Sequence, residues 1–61
     1  NVMEGALYKD FEVWALKNNW FLFDTYEGTT ASLYYFIVPS GRVVEVGVGA
    51  ISGTIKEVIV K

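Results

Sequence analysis

Residues 20–48 read WFLFDTYEGTTASLYYFIVPSGRVVEVGV, and this stretch decides the architecture. Aromatic and β-branched residues fill it, while Glu27-Gly28-Thr29-Thr30 and Pro39-Ser40-Gly41 supply turn chemistry at two points. The pattern predicts three antiparallel strands, 20–26, 31–38 and 42–48, joined as a meander. Each predicted strand is apolar at odd and at even positions, so the sheet has two apolar faces.

Loop parity determines which side chains share a face, because a slip of one residue turns a whole strand over. An even loop at Ser40-Gly41 places Val38 opposite Val43, Ile37 opposite Val44, Tyr35 opposite Val46 and Leu33 opposite Val48. A three-residue loop would place Tyr35 opposite Glu45 instead. With even loops at both turns, one face collects Trp20, Leu22, Leu33, Tyr35, Ile37, Val44, Val46 and Val48, and this is the expected core. The other collects Phe21, Phe23, Tyr34, Phe36, Val38 and Val43, beside Thr25, Ser32, Glu45 and Gly47.

Upstream, Met3, Leu7, Phe11, Trp14 and Ala15 fall on one stripe of a 3.6-residue repeat, which predicts a helix over residues 3–18. Glu4 in its first turn and Lys17 in its last complement the helix dipole. Asn18-Asn19 supplies a helix stop tolerant of the left-handed conformation. Downstream, Gly47, Gly49 and Gly53 loosen the chain before Thr54. The β-branched density of residues 54–61 favours a fourth strand, although Thr54 and Glu57 also match a capping box for a short helix. The expected fold is α+β: one N-terminal helix packed on a three- or four-stranded antiparallel meander, forming a single small domain over residues 1–61.

Composition narrows the function. The chain has 61 residues, no Cys and no His, a net charge of −2, 52% hydrophobic residues and 16% aromatics. At this size apolar burial contributes on the order of 90 kcal/mol, and ordering the chain costs on the order of 90 kcal/mol. Small domains resolve that balance with disulfides, a metal or association. With neither Cys nor His there is no disulfide and no ordinary zinc or haem site, so no cofactor is expected and self-association remains. The longest apolar run, residues 31–38, is far short of the ~20 residues that span a bilayer. That run length and the lack of a signal-like N-terminus favour a cytoplasmic, non-membrane protein. The first residue is Asn1, which leaves room for a fragment of a longer protein whose remainder covers the second face.

Catalysis has little to work with. The commonest general base and the best thiol nucleophile are missing. The proposed register sets Asp24 and Glu45 on opposite faces, which excludes a paired-carboxylate site. Gly47-x-Gly49-x-x-x-Gly53 suggests a phosphate loop, but it lacks the Lys of the Walker pattern and the helix that must follow a dinucleotide fingerprint. The expected function is therefore a non-enzymatic interaction or oligomerisation module. It would form a homodimer through Phe21, Phe23, Tyr34, Phe36, Val38 and Val43, or through an open edge of the strand at 42–48. The competing expectation is a single-stranded nucleic-acid platform built from Tyr34, Phe36 and Arg42. The few scattered cations, and the absence of a basic excess, weigh against it.

Overall fold

The structure, a computed structural model, describes residues 5–61. It comprises a helix α1 (Tyr8–Lys17) followed by four strands, β1 (Phe21–Glu27), β2 (Ala31–Ile37), β3 (Val43–Gly49) and β4 (Ile55–Val60). The strands form one antiparallel sheet in the order β1-β2-β3-β4. The α+β meander expected from the sequence is present, and residues 55–60 resolve as strand rather than helix.

The helix begins later than its periodicity implied. Gly5 has a φ of 89° and donates to the Ile55 carbonyl at 2.8 Å, while the Ile55 N–H reaches the Ala6 carbonyl at 2.8 Å. Two residues thus oppose one across a glycine-type bulge, and Leu7 bridges Thr54 next to it. This extended pairing occupies Gly5 to Leu7, so the helical turn starts at Tyr8, whose N–H is satisfied by the Gly53 carbonyl at 2.9 Å. The buried stripe is accordingly Tyr8, Phe11 and Ala15, whereas Leu7 is half-exposed. Met3 and Glu4, placed in the helix by the sequence pattern, lie outside the described residues; Asp10 provides the acidic group of the first turn.

The expected stop is found at Asn18-Asn19. Asn19 adopts a φ of 64°, its N–H bonds to Leu16 O at 3.2 Å, and the Trp20 N–H bonds to Ala15 O at 2.9 Å. These paired bonds form a Schellman closure with Asn in the usual glycine position. It redirects the chain into β1 with Trp20 turned under the helix.

The sheet register corrects the sequence expectation at β2. Phe36 pairs with Val44, Tyr35 with Glu45, Tyr34 with Val46 and Leu33 with Gly47. The second hairpin has an odd, three-residue loop: Val38 N–H bonds to Arg42 O at 3.0 Å, and Gly41 N–H bonds back to Val38 O at 2.8 Å. Pro39 sets the first corner of the turn, and Gly41, at a φ of 90°, takes the left-handed position that closes such loops. The first loop keeps its even parity, with Tyr26 opposite Leu33, but β1 then slips by one residue between Leu22 and Asp24. This bulge at Phe23 restores Leu22 to the side of Phe36. Two single-residue insertions therefore flank β2, and relative to the expected faces β2 is turned over together with the end of β1 beyond the bulge, where Thr25 joins the helix side and Asp24 the open one.

The core lies between α1 and one side of the sheet. It contains Tyr8, Phe11, Ala15, Phe36, Val44, Val46, Val48 and Ile55, with Trp20, Leu22, Tyr34, Val38 and Val58 packed against it. Phe11 meets Trp20 and Phe36 edge-on, at ring centroid distances of 5.6 Å and 5.8 Å. Tyr8 stacks on Tyr34 at 4.0 Å. Burial first, and then the carboxylate of Glu12 that accepts its hydroxyl at 3.2 Å, hold the Tyr8 hydroxyl well above its ordinary pKa. A raised folded-state value means the unfolded chain gives up its proton first, at about pH 10, and stability falls as pH rises beyond that. An alkaline series of melting temperatures should show this decline, and Tyr8→Phe should blunt it.

Candidate functional site: the open sheet face

Among the described residues, five of the eleven exposed large apolar side chains, Phe21, Phe23, Tyr26, Ile37 and Ile59, stand together on the side of the sheet turned away from α1, while Leu7, Val13, Trp14, Leu16, Ile51 and Val60 are exposed elsewhere. The pairings arrange that side in three cross-strand rows. Phe21, Ile37, Val43 and Lys61 form the first, because the Lys61 N–H continues the ladder to Val43 O at 2.8 Å. Asp24, Tyr35, Glu45 and Ile59 form the second, and Tyr26, Leu33, Gly47 and Glu57 the third. The extra residue of the bulge, Phe23, tilts onto Tyr35 with ring centroids 6.3 Å apart. Phe21, Phe23 and Tyr26 are 64%, 45% and 61% exposed, which is high for aromatic side chains in a chain this short of core.

Of the six contact residues expected from the sequence, Phe21, Phe23 and Val43 stand on this face. Tyr34, Phe36 and Val38 do not: the odd loop turns them under α1, where Phe36 is fully buried. In their place the face presents Leu33, Tyr35 and Ile37, which even parity had assigned to the core, together with Tyr26 and Ile59. The Pro39-Ser40-Gly41 sequence was the available signal, since a proline followed two residues later by glycine fits the three-residue loop. The same rotation removes the nucleic-acid platform as drawn: Tyr34 and Phe36 lie beneath the helix, and Arg42 stands apart from them on the hairpin. The face that is open carries Asp24, Glu45 and Glu57 against Lys61 and, at its far end over Gly49, Lys56, a balance without the basic excess that a phosphate backbone needs.

The edge expected to be open is also closed, because β4 pairs along β3. The outer edge of β4 is itself engaged at its start by Gly5 and Ala6, and β1 is interrupted by its bulge. Both are devices that blunt strand addition.

Asp24 and Glu45 share this face, contrary to their expected separation, because β2 is turned over and β1 bulges between Leu22 and Asp24. They nevertheless stand on β1 and β3, about 9.6 Å apart by strand spacing, with Tyr35 between them. Asp24 accepts the Thr25 N–H at 2.9 Å, and Glu45 is paired with the Lys61 ammonium at 3.1 Å. Each is committed locally. Among the described residues no group of three His, Cys, Asp or Glu side chains converges to hold a metal ion, and no helix is long and apolar enough to cross a membrane.

The glycine string forms no phosphate cradle. Gly47 lies within β3 with Leu33 Cδ2 3.7 Å from where a Cβ would stand, and Gly49 ends the strand. Gly53, at a φ of 70°, closes the turn into β4. Between the first and third hairpin loops lies an open hollow of about 300 Å3, lined by Thr29, Thr30, Gly49, Ser52 and Lys56 among others. It holds one cation, Lys56, and the Ser52 hydroxyl on its wall is already engaged with that of Thr54 at 2.7 Å.

Comparison of the chain with protein-family models, with curated proteins and with solved structures finds no match.

Proposed function

We propose that the chain is a non-enzymatic association module whose open sheet face binds a second copy of itself. The observation that carries this reading is the apolar face of Phe21, Phe23, Tyr26, Leu33, Tyr35 and Ile37 opposite the helix. At about 200 Å2 for a whole aromatic side chain, the three most exposed rings leave about 340 Å2 in water. Adding the partly exposed Leu33, Tyr35, Ile37, Val43 and Ile59 brings the patch to at most about 600 Å2, the upper end of what a monomer carries. Two such faces in contact bury about 1,200 Å2, the lower end of specific interfaces, which fits a reversible rather than an obligate dimer. A sheet face meeting its own copy forms a β-sandwich, and a two-fold pairing closes the assembly.

A dilution series of amide NMR spectra tests which surface is used. Signals of Phe21, Phe23, Tyr35 and Ile59 are expected to move with concentration across the micromolar range while those of Lys9 and Val13 on the outer side of α1 stay fixed. Shifts confined to α1, or none at all up to millimolar protein, would reject the open face as the contact.

A further inference from the structure

The open face has relief, and the relief selects an orientation. β1 and β2 raise a ridge of rings and branched side chains, Phe21, Phe23, Tyr26, Leu33, Tyr35 and Ile37. β3 beside it is lower: Val43 is short, Gly47 has no side chain and lies under the chain's own Leu33 and Glu57, each 3.7 Å from where its Cβ would stand, and the Glu45 side chain, 16% exposed, is drawn toward β4 by Lys61 at 3.1 Å. From this we infer that, in the dimer proposed above and resting on that reading, the two-fold axis runs parallel to the strands. The β2 ridge of each copy then lies over the lower β3 of the other, and β1 lies over the other's β4.

Rotation about an axis along the strands preserves the row of every residue while exchanging strand order. Leu33 then meets the second copy's Leu33 over the glycine row, and Ile37 covers its Val43. The Tyr35 hydroxyl reaches toward the second copy's Glu45 carboxylate, supplying a donor to a group that would otherwise be desolvated. At the margins the Phe21 ring approaches the second copy's Lys61, where a ring face attracts a cation, and the Tyr26 hydroxyl approaches its Glu57. The alternative axis, in the interface plane but across the strands, sets ridge on ridge and β3 on β3. It leaves a gap over β3 and brings the two Glu45 carboxylates together, two costs the parallel axis avoids.

Tyr26 and Glu57 give a clean test, because within one copy they stand on opposite edge strands about 14 Å apart, beyond a Debye length of about 8 Å at physiological salt. Coupling between them can therefore arise only across the interface. Tyr26→Glu is expected to raise the dissociation constant about tenfold, and adding Glu57→Lys to recover at least fivefold of that loss, by sedimentation at matched salt. Tyr26→Glu combined with Phe21→Lys should show no recovery. Additive behaviour of Tyr26→Glu with Glu57→Lys, or recovery by Phe21→Lys, which the crosswise axis would bring opposite Tyr26, overturns the orientation while leaving the dimer in place. A wild-type chain that is monomeric at every concentration overturns the dimer itself.

Discussion

Phe36→Ala should abolish cooperative melting or lower the midpoint by more than about 12 °C. Phe36 is fully buried against Phe11 and Trp20, and truncating a buried phenylalanine costs about 3–5 kcal/mol. A domain of this length has only about 3–9 kcal/mol in total, and in so small a protein each kcal/mol moves the midpoint by about 4–8 °C. Its neighbour Ile37, on the opposite side of the same strand and 39% exposed, is the control. Ile37→Ala, measured in dilute monomer, should cost about 1 kcal/mol, the middle of the range for single substitutions. The pair reads out the facing of β2 by thermal or urea denaturation. If Ile37→Ala proved the more damaging, the strand would be facing the other way.

The second large effect concerns association. Phe21→Asp with Phe23→Asp places two carboxylates where the partner presents apolar surface, and burying an unpaired charge costs several kcal/mol. The dissociation constant is expected to rise at least about a hundredfold, so that no dimer remains at working concentrations. The dilute protein should keep its melting temperature within a few degrees, because the Phe21 ring is mostly, and the Phe23 ring nearly half, in water already. The change takes the net charge from −2 to −4, and the matched control is Val13→Asp with Leu16→Asp. Those residues are the apolar pair on the outer surface of α1, 56% and 55% exposed. If this control dissociated the dimer while the Phe21 and Phe23 variant did not, the contact would be the helix surface.

The sequence made the elements legible where short-range chemistry sets them. Apolar density fixed the strands, the Asn18-Asn19 stop fixed the end of α1, and β-branched residues decided β4. The facing of β3, and of β1 as far as its bulge, could also be read, as Trp20, Leu22, Val44, Val46 and Val48 are all on the helix side, whereas Asp24 and Thr25 beyond the bulge face the other way from the expectation. The facing of β2 could not be settled by hydrophobicity, since Leu33, Tyr35 and Ile37 are as apolar as Tyr34, Phe36 and Val38. In a strand greasy on both sides, one residue in each flanking segment decides the outcome. Gly41 makes the second loop odd, and the bulge at Phe23 offsets β1. Neither changes composition or periodicity, which is why half of the expected contact set lies under the helix. The start of α1 escaped for a related reason: Gly5 commits its neighbours to a pairing with Ile55, a partner fifty residues away. The reason for expecting association at all was unaffected, because turning β2 over exchanges one apolar set for another and leaves the outward side just as apolar.

Sedimentation equilibrium of the unmodified chain from about 1 μM to about 1 mM tests the central claim most directly. The open face predicts a mass that climbs from 6.8 kDa toward twice that value, with a single reversible monomer–dimer isotherm. A mass that stays at 6.8 kDa throughout, in a chain that melts cooperatively, would contradict it.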